Sequence, residues 1–184
     1  MTAITIATDQ YYVSETVSDA TINATAGDHI VLIYGINDTF TASGGNETIL
    51  AGQGGNTITV GAGTNRISLG GTNNVLNLSA GTNTVSDQRG HNTLVLTAAG
   101  KGTDTIFGPD LHNGDTFDLR PLLASTSWKG DLTSIGDYLH ISPSSAPNFS
   151  LDVSPTGTGA GTQVAHFVGE NAPTLGAFLS HSIF

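Results

Sequence analysis

Side chains with a polar oxygen or nitrogen recur in this chain of 184 residues at a nine-residue beat, two positions ahead of an apolar residue. The positions read Ala20, His29, Asp38, Glu47, Asn56, Asn65, Asn74, Asn83 and Asn92, then Asp104 after a three-residue insertion. Carboxylates at such a beat are ligand chemistry for a hard cation. Ca2+ takes about six to eight oxygens, several of them from carboxylates. Asn supplies one neutral carbonyl oxygen and two N–H donors, so a run of Asn leaves the charge of an ion uncompensated. The acids lie towards the two ends, and Asp38, Glu47 and Asp104 are therefore the candidate Ca2+ ligands, with solvated turn residues as the other reading. The central Asn56, Asn65, Asn74, Asn83 and Asn92 read as a structural ladder, with amides bonded from turn to turn in place of the ion. No cofactor is required on this reading, and Ca2+ is the one that the terminal acids leave open.

Other chemistry is thinly represented. The six His are scattered, and none forms an H-x-x-x-H pair or stands beside a Ser nucleophile motif. Parallel β-helices that cleave acidic polysaccharides need clustered acids with Lys, Arg or His. Here the central repeats carry only Arg66 and Arg89. The expectation is a non-enzymatic protein.

The beat fixes the elements that hold these residues. Ile22, Val31, Phe40, Ile49, Ile58, Ile67, Leu76, Val85 and Leu94 lie nine apart, and two residues after each comes a second set running from Ala24 and Ile33 to Leu78, Asp87 and Leu96. Residues two apart share one face of a strand. Each window is thus a short strand with two inward side chains and a Gly/Asn turn. So short a strand cannot bury its face alone, but stacked neighbours can. Two windows make a coil of about 18 residues, with coils stacked at about 4.8 Å. The fold class is all-β: a parallel β-roll or β-helix solenoid with a β-rich C-terminal cap. Residues 1–20 are expected to cap the N-terminal end, with Tyr11 and Tyr12 as plug; 21–100 to form the repeats; and 101–184 the C-terminal cap. Asp87 falls in the inward column, where a charge is costly unless paired; "QRGHN" is expected to shift the register there and turn Asp87 out, with Arg89 as a nearby candidate partner.

Composition narrows the partners. With 5 Lys+Arg against 15 Asp+Glu, the net charge of −10 argues against nucleic acid and anionic membranes. There is no Cys for disulfides or thiolate metal sites. No apolar run is long enough to insert in a membrane, and "MTAITIATDQ" lacks the features of a Sec-type signal.

"GQGGNTI" (52–58), "GAGTNRI" (61–67) and "GKGTDTI" (100–106) resemble the RTX nonapeptide G-G-x-G-x-D-x-U-x, which binds Ca2+ in a parallel β-roll. Asn replaces the repeat's Asp in all but the last. The segment "GTDTIFGPDLHNGDTFDLRPLL" resembles the C-terminal target domain of proteins exported by type I secretion, on Asp104, Ile106, Gly114, Asp115, Phe117, Asp118, Leu119, Leu122 and Leu123. That resemblance implies a type I exporter as partner, an extracellular or cell-surface location, and an uncleaved signal in the tail, on Leu175, Phe178, Leu179, Ile183 and Phe184. The expected function is an exported extracellular repeat protein with a structural, surface or matrix-associated role. The alternative is an extracellular polysaccharide-binding module, or the C-terminal secretion tail of a larger exoenzyme. A glycan-binding face would use rows of Thr, Asn and Ser. A regular T-x-T face for ice fits at Thr39/Thr41 and Thr57/Thr59 and breaks at Val75/Asn77 and Thr93/Val95.

Overall fold

A computed structural model of the chain describes residues 2–8, 12–97, 102–109, 111 and 114–184. Its regular part is a parallel β-solenoid of short strands: β1 (Ala3–Ile6), β2 (Tyr12–Glu15), β3 (Thr21–Ala24), β4 (His29–Ile33), β5 (Thr39–Ala42), β6 (Glu47–Ala51), β7 (Thr57–Val60), β8 (Thr64–Leu69), β9 (Val75–Leu78), β10 (Thr82–Asp87), β11 (Thr93–Val95) and β12 (Asp104–Phe107). Odd and even strands separate into two sheets, because the chain crosses from one to the other at every turn. Within a sheet the partners are parallel and in strict register, as in Ile22↔Phe40, Phe40↔Ile58 and Ile58↔Leu76.

Residues 1–20, expected as a cap, instead supply the first strand of each sheet, β1 and β2. Tyr11 and the side chain of Tyr12 lie outside the described part. The coil length is 18 residues through the repeats, then grows to 21 between Asn83 and Asp104 and 23 between Asn92 and Asp115.

The core is the space between the sheets. Each strand turns alternate residues inward, so Ile22, Ile58, Leu76 and Leu94 face Val31, Ile49, Ile67 and Val85 across the interior, all nearly or fully buried. A buried aliphatic side chain of this size contributes about 2 kcal/mol. Four such positions per coil explain how a chain with 24 Gly holds a solid core. The turns are as tight as the core is full. Gly63 has φ +143°, and a Cβ there would lie 2.0 Å from the carbonyl oxygen of Gly45 one coil back. Only glycine lets the stacked turns approach so closely.

Beyond β12 both sheets continue. β13 (Thr116–Asp118) extends the first, and helix α1 (Arg120–Ala124) carries the chain away from it. After the short helix α2 (Ile135–Tyr138) come β14 (Leu139–Pro143), β15 (Asn148–Val153) and β16 (Thr162–Val168). β16 joins β12 in parallel, but β15 and β14 return antiparallel, so the second sheet ends in a meander. Helix α3 (Leu175–Leu179) then leads to β17 (Ser182–Ile183), the last strand of the first sheet. Phe117, Phe149, Phe167 and Phe178 close the core at this end with ring centroids 4.5 to 6.2 Å apart.

Leu76 is wholly buried between Ile58 and Leu94 of the adjoining strands. Leu76→Ala is expected to cost about 3 kcal/mol in urea unfolding, with an unchanged slope. A loss below about 1 kcal/mol would mean that the stacked rows do not form one packed core.

Candidate functional site: the buried side-chain ladder

At each turn one residue precedes the first inward apolar side chain by two positions, and its own side chain also points inward. The result is two columns along the solenoid. The first holds Ala20, Asp38, Asn56, Asn74, Asn92 and Asp115; the second holds His29, Glu47, Asn65, Asn83 and Asp104. All are buried, the five Asn to 1% exposure or less.

The first column is one repeated hydrogen bond. The backbone N–H of each member donates to the side-chain oxygen of the member one coil on: Ala20 to Asp38 at 2.8 Å, Asp38 to Asn56 at 2.8 Å, Asn56 to Asn74 at 3.0 Å, Asn74 to Asn92 at 2.8 Å and Asn92 to Asp115 at 3.0 Å. The amide groups also find acceptors. Asn74 Nδ2 donates to Asn92 Oδ1 at 3.0 Å, and Asn56 Nδ2 to the Gln53 carbonyl at 3.1 Å. A buried N–H without an acceptor costs about 1–3 kcal/mol. Asn supplies that acceptor without burying a charge.

The second column mixes modes. Glu47 N–H donates to Asn65 Oδ1 at 2.9 Å, Asn65 Nδ2 to Asn83 Oδ1 at 2.8 Å, and Asn83 Nδ2 to Asp104 Oδ1 at 2.7 Å. At its N-terminal end His29 Nδ1 faces both carboxylate oxygens of Glu47, at 3.1 and 3.2 Å, while Nε2 faces the Ala7 carbonyl at 3.3 Å. With a doubly protonated ring both nitrogens donate; with a neutral ring, a carboxylic acid at Glu47 supplies the missing proton. In either form the pair adds no net charge to the interior.

The acids deviate in the direction that burial dictates. Asp104 is pushed up to about 6, chiefly by desolvation, against the opposing donors of Asn83. Burial likewise raises Glu47, against its bond to His29, and raises Asp38, against the Ala20 N–H and with help from Glu15 and Asp19. Asp38 Oδ2 is buried without a hydrogen-bond partner. It closes over Gly35, where a Cβ would sit 2.3 Å from it and 2.4 Å from the Val17 carbonyl oxygen. None of the three acids is a solvated turn residue.

These positions do not fit Ca2+. Asp38 belongs to one column and Glu47 and Asp104 to the other, with Asn65 and Asn83 between the latter two. Each carboxyl is already engaged inside the ladder, Asp38 by the Ala20 N–H, Glu47 by the His29 ring and Asp104 by Asn83 Nδ2. Among the described residues no three of His, Asp or Glu assemble into a group able to hold a metal ion.

Asp87 stays buried rather than turning out. Its carboxylate accepts from the Arg89 and Gly90 backbone N–H groups and from Asn92 Nδ2, so Arg89 pairs with it through the main chain and not through the guanidinium. The proposed tail signal splits in two. Phe178 is wholly buried in the aromatic cluster, with Leu175 and Leu179 packed beside it, whereas Ile183 and Phe184 are about 40% exposed. Two features escaped sequence reading: Asp115 as the last rung of the first column, and the Asp118–Arg120 ion pair, which holds the Asp118 carboxyl below its usual range. Asp115 does stand two residues before the core residue Phe117, and that spacing is its only signal.

Two measurements follow from this geometry. The folded state holds a proton on Asp104 more tightly than the unfolded chain does. Its contribution is therefore complete below about pH 4 and is lost as pH rises through 6, by up to about 3 kcal/mol at roughly 1.4 kcal/mol per pKa unit. The melting temperature is expected to fall from pH 5 to pH 8, and Asp104→Asn to flatten that fall; an equal fall in both proteins would show that Asp104 is not its source. Second, a ladder bonded mainly through neutral Asn is expected to fold without an ion. Far-UV circular dichroism in EGTA is expected to show β structure, with little change in melting temperature on adding calcium. A random-coil spectrum until millimolar calcium is reached would contradict the ladder.

No protein-family model, curated protein or solved structure matches this chain.

Proposed function

We propose that this is an exported, extracellular repeat protein with a structural, surface or matrix-associated role and no catalytic activity of its own. The observation that carries the proposal is the self-contained ladder. The polar side chains of the interior are bonded to one another and to turn backbone, not grouped around a cleft. A β-solenoid of this kind fits a non-catalytic repeat protein. It is a rod that holds its shape through its own backbone and amides, without cofactor or disulfide. Such a rod suits a compartment where the ionic and redox state is not controlled.

The route outward in this proposal is type I secretion, read from the C-terminal tail. The same tail has a structural duty, since β17 completes the first sheet and Phe178 fills the core. The side chains of Ile183 and Phe184 are the part of this segment left for recognition by an exporter, being apolar and exposed.

The test expresses the full chain in a host with and without a type I exporter, beside the double variant Ile183→Ser, Phe184→Ser. The protein is expected in the medium only with the exporter. The double variant is expected to keep the wild-type melting temperature within a few degrees and to stay in the cells. Equal appearance of both in the medium would remove the tail from the export signal. Retention of both in every exporter-bearing host would remove type I export from the proposal.

A further inference from the structure

The outward face of the second sheet differs from the rest of this acidic molecule. Over β4, β6, β8, β10 and β12 the outward residues form two rows, Ile30, Thr48, Arg66, Thr84 and Thr105 beside Leu32, Leu50, Ser68, Ser86 and Phe107. No acid stands among them, in a chain of net charge −10. Arg66 is exposed in the middle of the face, flanked by Thr48 and Thr84 on the neighbouring strands. A shallow trough of about 270 Å3 surrounds it, with Leu50 as its apolar floor and Ser68 and Ser86 along one side. One coil further on, where the chain leaves this sheet, exposed Arg89 borders a second hollow of about 350 Å3, otherwise lined by turn residues such as Gly54, Gly71 and Thr72. Among the described residues neither guanidinium takes part in a hydrogen bond or ion pair. Arg120, by contrast, is spent on Asp118.

We infer that this face binds an anionic polysaccharide, a polymer of uronic acids laid over the sheet with a carboxylate on Arg66 and a further one towards Arg89. The chemistry favours a sugar acid. A guanidinium pairs with a carboxylate through two parallel N–H donors. The hydroxyls of Thr48, Thr84 and Ser86 match sugar hydroxyls as donors and acceptors, while Ser68 already accepts from Gln88 Nε2 at 3.2 Å and keeps its O–H to donate. Leu50 offers an apolar patch to the C–H face of a pyranose ring. A rigid sheet presents these groups at little ordering cost. Nucleic acid is the poorer fit. Its affinity comes from many phosphate contacts, and this face has two cations in a molecule whose overall field repels polyanions. The inference rests on the extracellular reading above only for where such a polymer would be met.

The test measures binding of polygalacturonate to the purified full chain by calorimetry at low ionic strength, in EGTA so that calcium cannot bridge polymer and protein. The comparison ligands are the carboxyl-reduced polymer and single-stranded DNA. The comparison variants are Arg66→Gln, Arg66→Lys, Arg89→Gln and Arg120→Gln, each checked for a wild-type melting curve. The expected result is binding of polygalacturonate alone. It should weaken at least tenfold in Arg66→Gln, less in Arg66→Lys and Arg89→Gln, and not in Arg120→Gln. Equal binding of the reduced polymer, binding of the DNA as tight as that of the uronate, undiminished binding by Arg66→Gln, or no binding to any polymer would overturn the inference. A protein that is exported but does not bind the uronate sinks this inference alone. One that binds but is never exported removes type I export from the functional reading and leaves the site standing.

Discussion

One constraint runs through the whole molecule: at every buried turn a backbone N–H points along the solenoid axis, away from water, and must meet an acceptor from the next coil. In the first column the acceptor is the side-chain oxygen of the residue 18 positions on. The bond therefore ties register to the ladder residue rather than to coil length. Coils of 21 and 23 residues still bring Asp104 and Asp115 onto Asn83 and Asn92 at 2.7 and 3.0 Å, and Ile106 and Phe117 stay in the inward rows beside Val85 and Leu94. The inward rows can stack without a slip because the two columns beside them hold the register, one at each turn.

The same constraint explains where acids are tolerated. Within the run, an Asn both accepts and donates, as Asn74 does between Asn56 and Asn92. At the C-terminal end of the second column only acceptance is needed, since the residue paired with Asp104 on the next strand is Ala165, which has no polar side chain. A carboxylate meets that need, and its cost appears as the raised pKa. Towards the N-terminal end Asp38 accepts from the Ala20 N–H and Glu47 pairs with the His29 ring. Each acid thus stands where the ladder is met by a different partner, and the bulk of the columns stays uncharged.

Sequence and structure agree where the signal is periodic. The nine-residue beat, the two inward positions per strand and the parallel solenoid could be read directly, because apolar residues two apart have one physical meaning on a strand this short. Directions and ends could not. Nothing in the spacing tells whether an Asn bonds to a neighbouring amide or to the backbone of the coil before it; the first column does mainly the latter and the second both. Residues 1–20 lack the Gly/Asn turns of the repeats, so their two strands looked like a cap. Asp115 was hidden by the longer coil that separates it from Asn92. A lone charge in the inward column predicts an outward turn at Asp87, but two backbone N–H groups and an amide compensate it where it lies.

A ladder that saturates the interior also decides where chemistry remains. Once the inward polar groups are consumed by coil-to-coil bonds, recognition can come only from outward side chains, and the two sheets offer different ones. The first presents Thr21, Thr39, Thr57, Thr93 and Thr116 in one row, interrupted by Val75 and flanked by Asn23 and Asn77. Thr favours an exposed strand, so the Thr row needs no ligand to explain it. The second sheet interrupts its Thr row with an arginine, the costlier choice. An unpaired Arg adds nothing to the stacking of coils, and Thr at position 66 would continue the row between Thr48 and Thr84. Arg66 is thus the residue of this face on which the proposed contact with a sugar acid depends.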